Sequence, residues 1–164
     1  MKKYEFTGET KRVELWNRTA TLHRIKATVE FGFVKVGELG GWIEKEENLS
    51  HEGKAWVWGN AKVCGDAEVW GNAKVWGNAE VWGNAEVFLA SHVLVMGSVG
   101  SRNDFTTFFR DKDNEITVKC GCFLGKIDKF LEKVTQTHGN NKYALVYRAA
   151  VEVAKLQIEL TERK

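Results

Sequence analysis

The sequence predicts a mainly β protein built around a parallel β-helix, and three observations predict it. Between Trp56 and Val99 a six-residue phrase recurs nearly unchanged: Val57-Trp58-Gly59-Asn60-Ala61-Lys62, Val63-Cys64-Gly65-Asp66-Ala67-Glu68, Val69-Trp70-Gly71-Asn72-Ala73-Lys74 and onward. A short fixed period of this kind marks a stacked repeat architecture. Within each unit Ala and Val fall on one face of a strand while the Lys or Glu and the Trp fall on the other. Each unit also carries Gly-Asn or Gly-Asp, the residues that best tolerate a left-handed backbone, so each unit turns there. Six residues per side and three sides per coil give a triangular section with Ala and Val filling its axis.

The flanking segments are read in chain order. Residues 1–50 alternate polar and apolar side chains, in Arg12-Val13-Glu14-Leu15-Trp16 and again in Thr28-Val29-Glu30-Phe31-Gly32-Phe33-Val34. They predict an N-terminal β cap closing the open end of the coil, where strand edges and a Val core would otherwise be exposed. The repeats occupy 51–100. From 101 to 164 the chain predicts a small α+β module. Phe105 to Arg110 and Glu115 to Cys120 form a hairpin around Asp111-Lys112-Asp113-Asn114. A helix follows with Ile127, Phe130, Leu131 and Val134 as its stripe, stopped at His138-Gly139-Asn140. A second runs from Lys142 to Glu162 with Tyr143, Tyr147, Ala150, Ala154 and Ile158 along one side.

Composition narrows the function classes. The formal net charge is +2, and Lys alternates with Glu in place of a basic stripe, which argues against recognition of a nucleic-acid duplex. No apolar run is long enough to cross a bilayer, and Met1-Lys2-Lys3-Tyr4-Glu5-Phe6 lacks the apolar stretch of a secretion signal. Three cysteines suggest no disulfide framework, so a cytoplasmic location is expected.

Several segments carry a family likeness. Arg24-Ile25-Lys26-Ala27, Gly40-Gly41-Trp42-Ile43-Glu44, Asn48-Leu49-Ser50-His51-Glu52-Gly53, the repeats, Gly100-Ser101-Arg102-Asn103 and Cys120-Gly121-Cys122-Phe123 together resemble an uncharacterised family of hexapeptide-repeat proteins of phages, prophages and gut bacteria. The resemblance implies a left-handed β-helix, whereas parallel crossovers are otherwise nearly always right-handed. It also implies a viral or prophage setting, hence the host cytoplasm, and no residue-level activity.

The outward face of the coil gives the first functional hint. Residues eighteen apart stack, placing Trp58 under Trp76 and Leu94, Trp70 under Phe88, and Cys64 under Trp82. Burying a Trp removes about 150–250 Å² of surface, worth on the order of 4–6 kcal/mol at about 25 cal/mol per Å². Something therefore covers these strips: the terminal helices of the same chain, a carbohydrate, or other copies of the chain. We expect Trp58, Trp70, Trp76, Trp82 and Phe88 to form the interface of a homotrimer, partly from the resemblance. In the same register Lys62 lies under Glu80, Glu68 under Glu86, and Lys74 under His92.

Three chemistries are considered. Hexapeptide β-helices frequently serve acyltransferases with a His base, for which His51 and His92 are the candidates; the repeats lack the inserted loop that shapes an acyl-donor site. Cys120, Cys122 and His138 could suggest a metal, but one Cys-x-Cys is a weak zinc signature, and two small buried apolar residues against Phe123 fit better. No metal or cofactor is expected. The third chemistry is anion binding where the repeats end. Ser98-Val99-Gly100-Ser101-Arg102-Asn103-Asp104 can present backbone N–H groups and a guanidinium fork. The plain alternative is that Arg102 pairs with Asp104 or Asp111.

The candidate ligand-binding residues are Ser101, Arg102, Asn103, Arg110, Phe123, His138, Lys142 and Tyr147. Arginine and lysine would hold phosphates, and the aromatic rings would stack on a base. The resulting expectation is a non-enzymatic homo-oligomeric binding protein, a phage-encoded sponge for a nucleotide-derived immune signal. Its rivals are a protein inhibitor of a bacterial defence effector and a hexapeptide-type acyltransferase.

Overall fold

The computed structural model describes residues 2–15 and 17–160; Trp16 and the expected helix end at Glu162 lie outside them. Strands β1 (Tyr4–Glu14) and β2 (Thr19–Ala27) form an antiparallel hairpin, and β2 pairs antiparallel with β3 (Leu39–Ile43). The stretch 28–34 is not the strand its alternation predicts. Phe31 and Val34 exchange both backbone hydrogen bonds across a tight turn, which leaves Phe33 pointing into solvent.

Through the repeats run six strands of two residues each: β4 (Trp56–Val57), β5 (Lys62–Val63), β6 (Glu68–Val69), β7 (Lys74–Val75), β8 (Glu80–Val81) and β9 (Glu86–Val87). Glycines 53, 59, 65, 71, 77 and 83 turn the chain with φ between 58° and 73°, which confines each ladder to the residues between corners. Pairing is parallel at eighteen-residue spacing: Lys62 faces Glu80, Trp56 faces Lys74, and Glu68 faces Glu86. Along the axis every Ala from Ala55 to Ala85 and every Val from Val57 to Val87 in the repeat phase is buried.

The expected left-handed parallel β-helix is nevertheless corrected by the sheet topology. Parallel pairing runs only two or three strands deep, in separate small sheets, and one of these is mixed, in the order β1-β2-β3-β5-β8. Among the described residues no long regular parallel solenoid is formed, although mainly β holds. The physical reason is that two-residue ladders carry little continuity of their own. The neighbouring antiparallel hairpin takes over the edge of one sheet, and an antiparallel sheet takes over after the last repeat.

That second sheet begins at Val93, earlier than the module boundary at 101. It comprises β10 (Val93–Val99), β11 (Asp104–Arg110), β12 (Ile116–Cys120) and β13 (Phe123–Lys126), all antiparallel. Its alternation has opposite destinations. Phe109, with Val93 and Val95, packs on the repeat core, while Phe108, with Leu94 and Met96, packs on the helices. The helices are α1 (Ile127–His138) and α2 (Lys142–Gln157). Asn141 caps α2 by accepting from Ala144 N at 3.1 Å.

Two buried polar side chains bracket the repeats. In the 3₁₀ turn Glu46–Asn48, Asn48 Oδ1 accepts from Glu44 N and Lys45 N, and its Nδ2 donates to Gly65 O and Ala67 O. In the turn Ala90–His92, His92 Nδ1 accepts from Phe88 N at 3.1 Å and Leu89 N at 3.2 Å. The residue four back and the residue three back are thus satisfied identically at both ends.

Candidate functional site

The sheet and the helices enclose a cavity of about 140 Å³. A dry cavity of about this size holds one six-membered ring. Its wall is assembled from separate elements. Ser101 and Arg102 come from the β10–β11 turn, Cys120 from β12, Phe123 from β13, Phe130, Lys133 and His138 from α1, and Tyr147 from α2. Position 130 and positions 133, 134, 137 and 138 fall on one face of α1 by helical spacing, so the residues that build the core also build the site.

Aromatic contacts fix the interior. Phe130 meets Tyr147 edge-on at 5.6 Å, Phe123 lies 5.5 Å from Phe130, and His138 stacks on Tyr147 at 5.9 Å. Arg148 holds the α1–α2 turn by donating to Gly139 O and to the Thr135 and Asn140 side chains, which sets His138. The Tyr147 hydroxyl is so close to Gly100 that a Cβ there would lie 1.8 Å from it. Burial, and then the neighbouring Cys120 thiol at 4.0 Å, push the phenol's pKa above its ordinary value, so it remains a neutral donor at physiological pH. Thr106 donates to Cys120 Sγ at 3.3 Å.

Arg102 is exposed at the mouth. It pairs with neither carboxylate suggested by the sequence, and among the described residues it forms no ion pair. Asp104 accepts from Phe105 N, and buried Asp111 takes the Lys126 ammonium at 2.7 Å and the Thr117 hydroxyl at 2.6 Å. The guanidinium instead packs over Gly121, its Nη1 lying 2.7 Å from where a side chain would begin.

Of the eight expected ligand residues, Ser101, Arg102, Phe123, His138 and Tyr147 meet in this cavity. Asn103 and Lys142 line a neighbouring hollow of about 310 Å³ that also includes Ser101. Arg110 lines neither. It lies over the Phe88 ring at 5.0 Å and donates to Glu86 O and Asn114 Oδ1, joining the module to the last repeat. Thr106, close in sequence to the Ser101–Asp104 turn, also lines it, whereas Lys133 and Thr137 were not expected; helical spacing from Phe130 was the signal for them.

The aromatic strips divide as well. Trp58 stacks on Trp76 at 4.1 Å and Trp70 on Phe88 at 4.4 Å. Trp76 is 51% exposed and Trp70 39%, but Trp82 is only 8% exposed, packed with Leu22, Trp42 and Cys64 beneath the N-terminal hairpin. Trp82 is therefore removed from the expected interface, and Phe88 is half covered by Arg110. A further apolar stripe lies on the outer face of α2 and beyond it, through Leu145, Val153, Leu156 and Leu160.

The histidines considered as acyl-transfer bases are both structural. His92 is fully buried, and its Nδ1 lone pair is occupied by two backbone N–H groups. His51 Nδ1 accepts from Lys3 N at 3.0 Å while its ring stacks on Tyr4. The cysteine pair also differs from expectation. Cys120 is half-buried and Cys122 exposed on its turn, because Cys120 faces Phe123 and the two residues between them form the bend. Among the described residues no group of three or more His, Cys, Asp or Glu is placed to hold a metal ion, and no helix is long and apolar enough to cross a membrane.

No protein-family model and no curated protein matches this chain.

Proposed function

We propose that this is a non-enzymatic, homo-oligomeric binding protein that captures a small nucleotide-derived molecule in the cavity between its C-terminal sheet and helices. The observation that carries the reading is the exposed Arg102. It forms no ion pair among the described residues, and it stands at the mouth of a ring-sized cavity walled by Phe123, Phe130 and Tyr147. A base would enter among the rings, and a phosphate would meet the guanidinium, with Lys133 nearby. The protein would act stoichiometrically, as a phage-encoded sponge for a bacterial immune signal in the host cytoplasm. The viral setting rests on the resemblance of the repeat and Gly-Ser-Arg-Asn segments, and the homotrimer on the exposed Trp70 and Trp76.

Native mass spectrometry of protein purified from bacteria with an active nucleotide-signalling defence tests the reading. One small phosphorylated molecule per chain is expected, released by heat. The Arg102→Ala variant should lose it while keeping its melting temperature. Unchanged retention in that variant, or an empty protein that nucleotides do not stabilise, overturns the proposal.

A second reading, inhibition of a defence effector by protein contact, is favoured by the exposed stripe Leu145, Val153, Leu156 and Leu160 on the outer face of α2 and beyond it. In that case a macromolecule is retained, and Leu156→Glu abolishes the retention where Arg102→Ala does not.

A further inference from the structure

A larger cavity of about 520 Å³ lies beside the first one. It is bounded by Leu15 and Arg18 near the tip of the β1–β2 hairpin, the repeat corner at Asp66, Trp82, Lys119 and Leu124. Trp82 lines it, and the indole Nε1 of that residue is buried without a hydrogen-bond partner among the described residues. A buried N–H of this kind is rare unless something satisfies it.

The two cavities share a wall, the turn Gly121–Cys122 between β12 and β13. Two cations flank that wall. Arg102 Nη1 packs over the Gly121 Cα, and Lys119 Nζ donates to the Gly121 carbonyl. Lys119 is itself buried, with its ammonium 4.4 Å from the Trp82 ring centroid and 3.6 Å from the Glu80 carboxylate. Its charge is thus partly offset, whereas that of Arg102 is not. Gly121 has φ +57 and no side chain, which leaves the space above it to the Arg102 guanidinium.

We infer that the ligand is bipartite: a dinucleotide-type molecule whose two ring-bearing halves are joined by a phosphodiester or pyrophosphate bridge. This deepens the reading given above and rests on it. One ring occupies the cavity among Phe123, Phe130 and Tyr147. The anionic bridge crosses the Gly121–Cys122 turn beside Arg102 and Lys119. The second half fills the larger cavity, between Trp82 and Leu124. The sizes favour this division, because the smaller cavity holds a ring but not a nucleotide, and the larger falls in the usual range for small-molecule sites of about 300–1,000 Å³.

Titration calorimetry with AMP and GMP, and with 5′,5′-pyrophosphate-linked diadenosine and diguanosine, tests the inference. Linking two halves that both engage raises affinity by about 10²–10⁴-fold, so at least one dinucleotide should bind about a hundredfold tighter than its mononucleotide. Leu124→Trp, and independently Asn84→Trp, fill the larger cavity from its rim. Each should bring the dinucleotide down to the mononucleotide's affinity without changing the latter. Equal affinities for mononucleotide and dinucleotide overturn the bipartite ligand and leave the smaller cavity's role standing. A tight dinucleotide that both Trp variants still bind also overturns it. If neither class binds, both this inference and the reading beneath it fail.

Discussion

Acid should weaken this fold through His92 in particular. The ring is fully buried, its Nδ1 accepts two backbone N–H bonds, and so its neutral form is the one that fits. Burial first, and then the positive charge of Arg110, lower its pKa from 6.5 to about 4, against a carbonyl contribution from Glu159. The unfolded chain therefore takes up a proton below pH 6.5 that the folded chain refuses until about pH 4. Stability is full above 6.5 and falls as pH drops through this window. At about 1.4 kcal/mol per pH unit the loss at pH 4 is on the order of 3 kcal/mol. The control is supplied by the protein itself: Asn48 performs the same capping with an amide that does not titrate. Urea denaturation at pH 7, 5.5 and 4 should give a His92→Asn variant that folds and loses about 3 kcal/mol less than the parent across that range. Carboxylates such as Glu44 weaken both proteins equally and cancel in the difference. Parallel curves for the two proteins would refute the argument.

Asn48→Ala leaves Lys45 N, Gly65 O and Ala67 O without the side chain that satisfies them, because only Glu44 N has a second acceptor, in Val63 O. A loss of about 2–4 kcal/mol in chemical denaturation is expected, and less than about 1 kcal/mol would show that water replaces the amide. Gly100→Ala places a methyl on the Tyr147 hydroxyl at a backbone φ of +78, so it should cost about 2 kcal/mol or more and also reduce ligand retention. Thermal melts and native mass spectrometry read the two effects, and a neutral result in both contradicts the packing described. Trp76→Glu puts a charge on the most exposed Trp of the repeat strips and should convert the proposed oligomer to monomer in light scattering with little change in monomer stability. An unaltered mass would place the interface elsewhere, with the α2 stripe the next surface to test.

What the sequence disclosed and what it withheld divide along the range of the interactions. The eighteen-residue register was legible because periodicity alone fixes which residues stack, and Lys62 faces Glu80 and Trp58 stacks on Trp76 as that register requires. Periodicity does not say how long a ladder persists or what takes over its edge, and the expected β-helix failed there: β3 is antiparallel to β2 on one side and parallel to β5 on the other. Trp82 looked like an interface residue because its repeat is identical to the one before it. Only the distant hairpin, through Leu22 and Trp42, distinguishes it. Arg110 looked like a ligand residue from its nearness in sequence to Arg102, but it lies at the far end of β11 from that turn and reaches the last repeat instead. The cluster of Ser101, Arg102, Phe123, His138 and Tyr147 was proposed from chemistry. Their meeting depends on the β10–β11 turn, β13 and the two helices converging at one end of the sheet.

The repeats matter to the site even though they contribute nothing to the smaller cavity's wall. Strand β11 and the turn after it are fastened across the last coil: Glu80 N donates to Thr107 Oγ1, Arg110 Nη1 to Glu86 O, Lys112 N to Asn84 O, and Ala85 bridges to Asp111. Phe109 seals the Ala-Val axis from above, so the sheet cannot slide without uncovering that core. The opposite face of the same strand carries Phe108, against which Phe130 packs edge-on at 6.4 Å, and Phe130 in turn positions Tyr147. A rigid stack of short strands thereby sets the floor of the pocket, and the helices close over it. Ordering of the rings is completed by folding and need not be provided by the ligand, which is the condition under which a small cavity can bind tightly. In the larger cavity the dependence is direct, because Trp82 and the corner at Asp66 belong to the repeats themselves. Loosening the stack at Asn48 or His92 should therefore weaken capture of a two-part ligand more than of a one-part ligand.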